Sequence, residues 1–133
     1  MAFVWPVRVY WEDTDAGGVV YYANYLKFLE RARSEWLRAL GFEQDELRDR
    51  AGLVFVVRRV EIDYLAPARF NDALEVSVEL AAQGRVSIEV AQTIRRGPTG
   101  LASAHVKLAC VEASSFKPAR IPASILEAAG AAT

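Results

Sequence analysis

The chain has 133 residues, 53% of them hydrophobic, and its 16 basic and 17 acidic side chains give a net charge of −1. This size and composition predict one folded domain and exclude an intrinsically disordered chain. The balanced charge gives no electrostatic case for nucleic-acid binding. The sequence contains no run of about 20 apolar residues, so no integral membrane segment is predicted. A single cysteine and the lack of a secretory-signal pattern favour a cytoplasmic protein.

The first predicted elements are a short strand at residues 8–11 (RVYW) and a long amphipathic helix from about Tyr22 to Leu40. The helix is predicted because apolar side chains recur three, four, seven, eleven and fifteen positions after the first. These side chains are Tyr25, Phe28, Leu29, Ala32, Trp36 and Leu40. Gly41 predicts the end of the helix. Residues 43–50 predict a second, short helix that ends at Gly52.

The hydrophobic period then changes to two, which predicts four strands in a meander. The first of them, at residues 53–65, is dense in valine and phenylalanine and is predicted to be largely buried. Turns are predicted at residues 84–85 and 97–100, and an irregular tail from Phe116 onward. One long helix on one face of an antiparallel sheet is an α+β arrangement.

Three common kinds of catalytic site find no support in the sequence. A metal site is not predicted, because the single histidine, His105, and the single cysteine, Cys110, are an odd number of positions apart on one predicted strand. Their side chains would therefore point to opposite faces of the sheet. No glycine-rich phosphate loop and no Gly-x-Ser-x-Gly turn occurs. We therefore predict neither a metal site nor a cofactor.

The carboxylates before a glycine pair are the strongest candidates for chemistry. Asp13 and Asp15 precede Gly17 and Gly18, and the long helix begins soon afterwards. Adjacent glycines permit tight turns, and a helix N-terminus offers unpaired N–H groups with a partial positive charge. Such a site suits acyl transfer, with the carboxylate as base or nucleophile. On spacing alone, a solvated loop or an Asx-turn is the alternative, although the apolar residues that follow predict partial burial.

Several segments closely resemble the hotdog-fold acyl-CoA thioesterases. They are residues 15–21 (DAGGVVY), 23–25 (ANY), 30–33 (ERAR), 62–69 (IDYLAPAR), Asp72 and 117–122 (KPARIP). The resemblance is to the 4-hydroxybenzoyl-CoA thioesterase class, and within it to the YbgC-like branch associated with the Tol-Pal system. It implies that residues 1–133 form a single hotdog domain, in which a curved antiparallel sheet of about five strands wraps the long helix.

The resemblance also implies a mechanism for thioester hydrolysis. Asp15 would be the catalytic carboxylate, acting either as a nucleophile or as a general base for water. A backbone N–H near Tyr22 would polarise the thioester carbonyl. Many YbgC-like members carry histidine at the position of Tyr22, whereas the aryl-CoA enzyme of the wider class has tyrosine there. The Tyr22 side chain would be either a pocket wall or a direct polar participant.

The implied substrate is an acyl-CoA or an acyl-carrier-protein thioester. The residues expected to bind it are Gly17 and Gly18 of the loop, Tyr25 or Phe28 against the acyl group in an apolar pocket between protomers, and Arg85 and Lys117, with Arg58 and Arg59 behind them, at the CoA phosphates. Protomers would pair edge to edge, with the active site at the dimer interface, and dimers would pair into a homotetramer.

Two other functions of a hotdog protein remain open at this point. A hydroxyacyl-thioester dehydratase would need a histidine near the helix entrance, and this sequence has none there. A non-catalytic protein that binds acyl-CoA or acyl carrier protein would not need Asp15, so the presence of that residue argues against it.

Overall fold

The computed structural model describes residues 2–132. Five strands form one antiparallel sheet in the order β1-β3-β4-β5-β2. The strands are β1 (Phe3–Arg8), β2 (Leu53–Tyr64), β3 (Ala73–Gln83), β4 (Ser87–Arg96) and β5 (Thr99–Glu112). The helices are α1 (Asn24–Ala39), α2, in which an α turn at Gln44–Glu46 continues into a π turn at Leu47–Ala51, and α3 (Ala123–Ala132). One long helix on a five-stranded antiparallel sheet is the predicted α+β hotdog arrangement.

The apolar stripe of α1 packs on the inner face of the sheet, and α1 contacts β3 and β1. Phe28 and Ala32 are fully buried, as are Val76, Val90 and Val106 on the strands beneath them. Burial of a phenylalanine side chain contributes about 1.5–3 kcal/mol relative to exposure. The helix is therefore fixed on the sheet, and this fixes the position of its N-terminal end.

The predicted four-stranded meander is wrong, because only β3, β4 and β5 are joined in that way. Residues 65–72 carry the chain across the sheet, so that β3 pairs with β1 while β2 pairs with β5 at the opposite edge. Alternation of apolar residues identifies strands but does not determine which strand pairs with which. The tertiary arrangement around α1 determines the order.

Strand β2 is an edge strand, and the prediction that it is largely buried is wrong. Its residues are half-buried or exposed, because it has a neighbour on one side only. The register shifts between Val57 and Arg59, so that Val57 lies opposite Leu108 and Val60 opposite Val106. This bulge keeps the apolar side chains of both halves of β2 on the inner face.

Both ends of the chain differ from the predictions. The first strand is Phe3–Arg8 rather than residues 8–11, and a 3₁₀ turn at Trp11–Asp13 begins at the last residue of the predicted strand. The tail is not irregular throughout, because α3 buries Ile125 and Ala129. None of the helices within residues 2–132 is long and apolar enough to cross a membrane.

Candidate active site

The segment between the 3₁₀ turn and α1 is a tight hairpin with Asp15 near its tip. The Asp15 N–H donates to the Val19 carbonyl at 2.9 Å, and the Gly18 N–H donates to the Asp15 carbonyl at 3.0 Å. Gly18 has a φ of 78°, a conformation that favours glycine. Thr14 and Val20 pair across the base of the hairpin. The glycine pair therefore permits the turn that presents Asp15.

The Asp15 carboxylate is exposed, so the expectation of partial burial is wrong for the single chain. Its Oδ1 accepts a 2.8 Å hydrogen bond from the Gly17 N–H, which is the Asx-turn that spacing alone suggested. No donor within residues 2–132 bonds to Oδ2. One carboxylate oxygen is thus held by the loop while the other is free to take a proton or attack a carbon.

Asp13 has a different environment from Asp15. It is only 4% exposed, and its side chain accepts hydrogen bonds from the Tyr10 N–H and the Asn24 side-chain amide. The hairpin is also bonded to the segment after β2, since the Val20 N–H donates to the Ala68 carbonyl at 2.8 Å. Asp13 therefore holds the loop in place, and Asp15 is the carboxylate that is presented to solvent.

The entrance of α1 offers a free backbone donor next to this loop. The Tyr21 N–H donates to the Asp13 carbonyl at 3.0 Å, and the Asn24 N–H donates to the Tyr21 carbonyl at 2.8 Å. The Tyr22 N–H has no acceptor in the part of the chain that the structure describes. Because it lies at a helix N-terminus, it is suited to stabilise negative charge on a substrate oxygen.

A cleft of about 320 Å³ opens at the helix entrance. It is lined by Val20, Tyr22, Tyr25, Tyr64, Leu65, Ala66 and Pro67. Tyr25 is buried and its hydroxyl accepts a 2.9 Å hydrogen bond from the Ala68 N–H, while the Tyr22 side chain is 63% exposed. Phe28 is fully buried and does not line the cleft. Tyr64 was not singled out by the sequence, although it lies within the IDYLAPAR segment.

A second, more apolar groove of about 350 Å³ lies along the seam between α1 and β2. Its lining residues are Leu26, Lys27, Leu29, Glu30, Arg33, Val57 and Val60. Arg33 is buried and its Nη1 donates to Gln92 Oε1 at 3.1 Å. Burial lowers the pKa of the Arg33 guanidinium, and the charge of Glu30 acts in the opposite direction. The groove therefore contains the buried guanidinium of Arg33 among mainly apolar side chains.

Arg85 and Lys117, the two cations first expected at the CoA phosphates, lie far from Asp15 within one chain. Arg85 is in the turn between β3 and β4, and its carbonyl accepts the Ile121 N–H of the tail that also carries Lys117. The Asp15 hairpin lies near the start of β3, which is 11 residues long. At about 3.3 Å per residue, β3 separates these two ends of the sheet by about 36 Å. The single chain does not bring these predicted residues together.

Comparison with known proteins gives consistent matches over this fold. A family model described as the thioesterase superfamily matches residues 17–103. The chain is 46% identical over 123 residues to an acyl-CoA thioesterase YbgC of Haemophilus influenzae, covering 92% of this chain and 90% of that protein. It is 46% identical over 125 residues to an acyl-CoA thioester hydrolase YbgC of Escherichia coli O6:H1, covering 93% and 92%.

A solved structure of a probable thioesterase from Bartonella henselae is 36% identical, with a TM-score of 0.87. The alignment covers 92% of this chain and 100% of that one. The fold, the matched family and the relatives agree with the resemblance noted in the sequence. The chain belongs to the thioesterase superfamily.

Proposed function

We propose that this chain hydrolyses acyl-CoA thioesters to a free acid and CoA, with Asp15 as its catalytic carboxylate. The observation that carries the proposal is the exposed Asp15 carboxylate on the loop that leads to the Tyr22 N–H, since within the described residues neither its Oδ2 nor that N–H has a hydrogen-bond partner. The names of the YbgC relatives support the substrate class. An acyl-carrier-protein thioester presents the same reacting group and belongs to the same proposal.

Two routes use these groups, and both break the acyl–sulfur bond and form an acyl–oxygen bond. In one, Asp15 takes a proton from water as the water attacks the thioester carbon. In the other, Asp15 attacks the carbon itself and gives a mixed anhydride, which water then cleaves. In both, the developing oxyanion accepts from the Tyr22 N–H. The leaving CoA thiolate takes up a proton, and no cofactor is needed.

We further propose that the active unit is a dimer formed through β2. Within residues 2–132 the outer edge of this strand pairs with no other strand, and its apolar side chains are half-exposed, which is the surface that strand addition covers. An antiparallel pairing about an axis near Arg58 would place Leu53 of one copy beside Tyr64 of the other. Pairing of such dimers would give the homotetramer.

This pairing would bring the distant cations to the cleft. Leu53 lies opposite Glu112 in the sheet, and the Glu112 N–H donates to the Lys117 carbonyl at 2.9 Å. Lys117 of the second copy, and Arg85 at the same end of its sheet, would therefore approach the cleft of the first copy. There they would bind the CoA phosphates, Arg85 through the paired N–H groups of its guanidinium and Lys117 as a point charge.

The test is a thiol-release assay over a panel of short, long and aromatic acyl-CoA substrates. Asp15→Asn removes the base or nucleophile with little change of shape and should lower kcat by about 100-fold or more. Asp45→Asn, the same change at an exposed carboxylate on α2, is the matched control. An Asp15→Asn protein as active as the native protein would overturn the proposed role of Asp15.

The same assay separates the two other hotdog functions. Binding of acyl-CoA without turnover of any substrate would indicate a binding protein. A dehydratase is disfavoured by the position of His105, which is exposed between the buried Ala104 and Val106 and so lies on the face of the sheet opposite α1. Its Nε2 is 3.5 Å from Glu89 Oε1 on that outer face, and it does not line the cleft.

A further inference from the structure

The carbonyl of Tyr22 lies just before Ala23, the N-cap residue of α1, and is therefore outside the helical hydrogen-bond ladder. The Leu26 N–H donates to the Ala23 carbonyl at 3.2 Å. The Tyr22 carbonyl accepts from the Tyr64 hydroxyl at 2.9 Å. The last residue of β2 therefore holds a peptide group at the entrance of α1.

Tyr64 is well placed to keep this contact. Its ring packs edge-on against Tyr25, with centroids 5.1 Å apart, and against Tyr22, with centroids 6.4 Å apart. Partial burial, and then the neighbouring Tyr25 and Tyr22, raise the pKa of the Tyr64 phenol. The phenol thus stays protonated at neutral pH and remains a hydrogen-bond donor.

The bonded carbonyl belongs to the same planar peptide unit as the Ala23 N–H. Fixing the carbonyl therefore fixes the direction of that N–H. A donor to the carbonyl oxygen also polarises the amide, which makes its N–H a stronger donor. The Ala23 N–H, like the Tyr22 N–H, has no acceptor within residues 2–132. Two successive N–H groups without an acceptor at a helix entrance are both available to stabilise an oxyanion.

We propose that Tyr64 is a positioning residue whose hydroxyl holds the Tyr22–Ala23 peptide, so that the Ala23 N–H joins the Tyr22 N–H as a donor to the thioester oxygen. This inference rests on the proposed thioesterase function. Tyr64 does not touch the reacting carbon in this role. It acts through the backbone of the helix entrance, and its effect falls on the transition state, in which the oxygen carries the most charge.

The first test is Tyr64→Phe in the thiol-release assay, because phenylalanine keeps the ring and removes only the hydroxyl. Loss of a direct oxyanion donor costs about 100-fold or more, and loss of its support should cost less. We expect kcat to fall about tenfold with KM changed by less than about twofold. Tyr10→Phe, at an exposed tyrosine outside the cleft, is the matched control. A native kcat, or a raised KM alone, would overturn the proposal.

A second readout needs no substrate and no turnover. In the amide NMR spectrum, the Ala23 proton resonance should move upfield in Tyr64→Phe and stay in place in Tyr10→Phe. An unchanged Ala23 resonance would overturn the proposal, even if kcat fell. The outcomes also separate the two proposals. An inactive Asp15→Asn beside a fully active Tyr64→Phe would remove the positioning role alone, whereas an active Asp15→Asn would remove the proposed catalytic role.

Discussion

The side-chain amide of Asn24 donates a 2.7 Å hydrogen bond to the buried carboxylate of Asp13. The other carboxylate oxygen of Asp13 accepts from the Tyr10 N–H at 2.8 Å, and its carbonyl accepts from the Tyr21 N–H at 3.0 Å. Asn24 is the first residue of α1. One aspartate therefore bonds to the chain before and after the Asp15 hairpin, which pre-organises the loop relative to the helix entrance.

Asp13→Asn should destabilise the fold, because two groups donate hydrogen bonds to the Asp13 carboxylate. The side-chain NH₂ of an asparagine would face one of these two donors, and that donor would lose its acceptor. A buried donor without a partner costs about 1–3 kcal/mol, and we expect that loss in the free energy of unfolding from urea titration. Asp15→Asn is the matched control, since the exposed site should change stability by less than about 0.5 kcal/mol. Equal stability of the two variants would contradict the structural role of Asp13.

The two glycines of the loop should respond differently to alanine. A Cβ on Gly17 would lie 3.2 Å from Asp15 Oδ1, whereas a Cβ on Gly18 would meet nothing within 4 Å. Gly17→Ala should therefore displace the carboxylate and lower kcat. Gly18→Ala should strain the backbone at its positive φ and lower the free energy of unfolding by about 1 kcal/mol. Steady-state kinetics and urea titration of both variants test this prediction. Equal kcat values and equal free energies of unfolding for the two variants would contradict it.

The sequence was sufficient for the parts of the fold that depend on local periodicity. The apolar stripe of α1 predicted a helix from Tyr22 to Leu40, and the structure has Asn24–Ala39. The chain order of Asp15, Gly17 and Gly18 before a helix likewise predicted a tight loop next to a helix N-terminus, while the resemblance to the thioesterases implied that the donor lies near Tyr22. These features are local, so the nearest few residues determine them.

Features that depend on distant residues were missed, although one had a signal in the sequence. The bulge in β2 had none, because residues 53–57 (LVFVV) are all apolar and show no alternation that could shift. Pro122 followed by apolar residues four apart, at Ile125 and Ala129, indicates a helix. The contact of Tyr64 with the Tyr22 carbonyl had no such signal, because it depends on where β2 ends relative to α1.

Gln92 should matter more for stability than the arginine it binds. Its Oε1 accepts from Arg33, and its Nε2 donates to the carbonyls of Leu29 and Ser77 at 3.1 and 3.2 Å. Gln92→Leu would leave a buried guanidinium and two carbonyls without this partner, at a cost of about 3 kcal/mol in unfolding free energy. Arg33→Met should cost less, since it also removes the penalty for burying a charge.

The double variant Arg33→Met with Gln92→Leu is the informative member of this set. Because its two changes remove both partners, it should be more stable than Gln92→Leu alone. Urea titration of the native protein and the three variants measures the coupling. Strictly additive losses would show that the two side chains do not depend on each other.

The proposed dimer through β2 predicts opposite results for one substitution at the two edges of the sheet. Val57 on β2 is 48% exposed and Val4 on β1 is 47% exposed, so a lysine at either position has similar access to solvent in the single chain. Val57→Lys would place a charge in the proposed interface and should lower the mass measured by light scattering, together with kcat. Val4→Lys should leave both unchanged. The reverse pattern, with dissociation caused by Val4→Lys alone, would place the interface at β1. A dimer formed through β1 would leave Lys117 of the partner subunit too far away to complete the cleft.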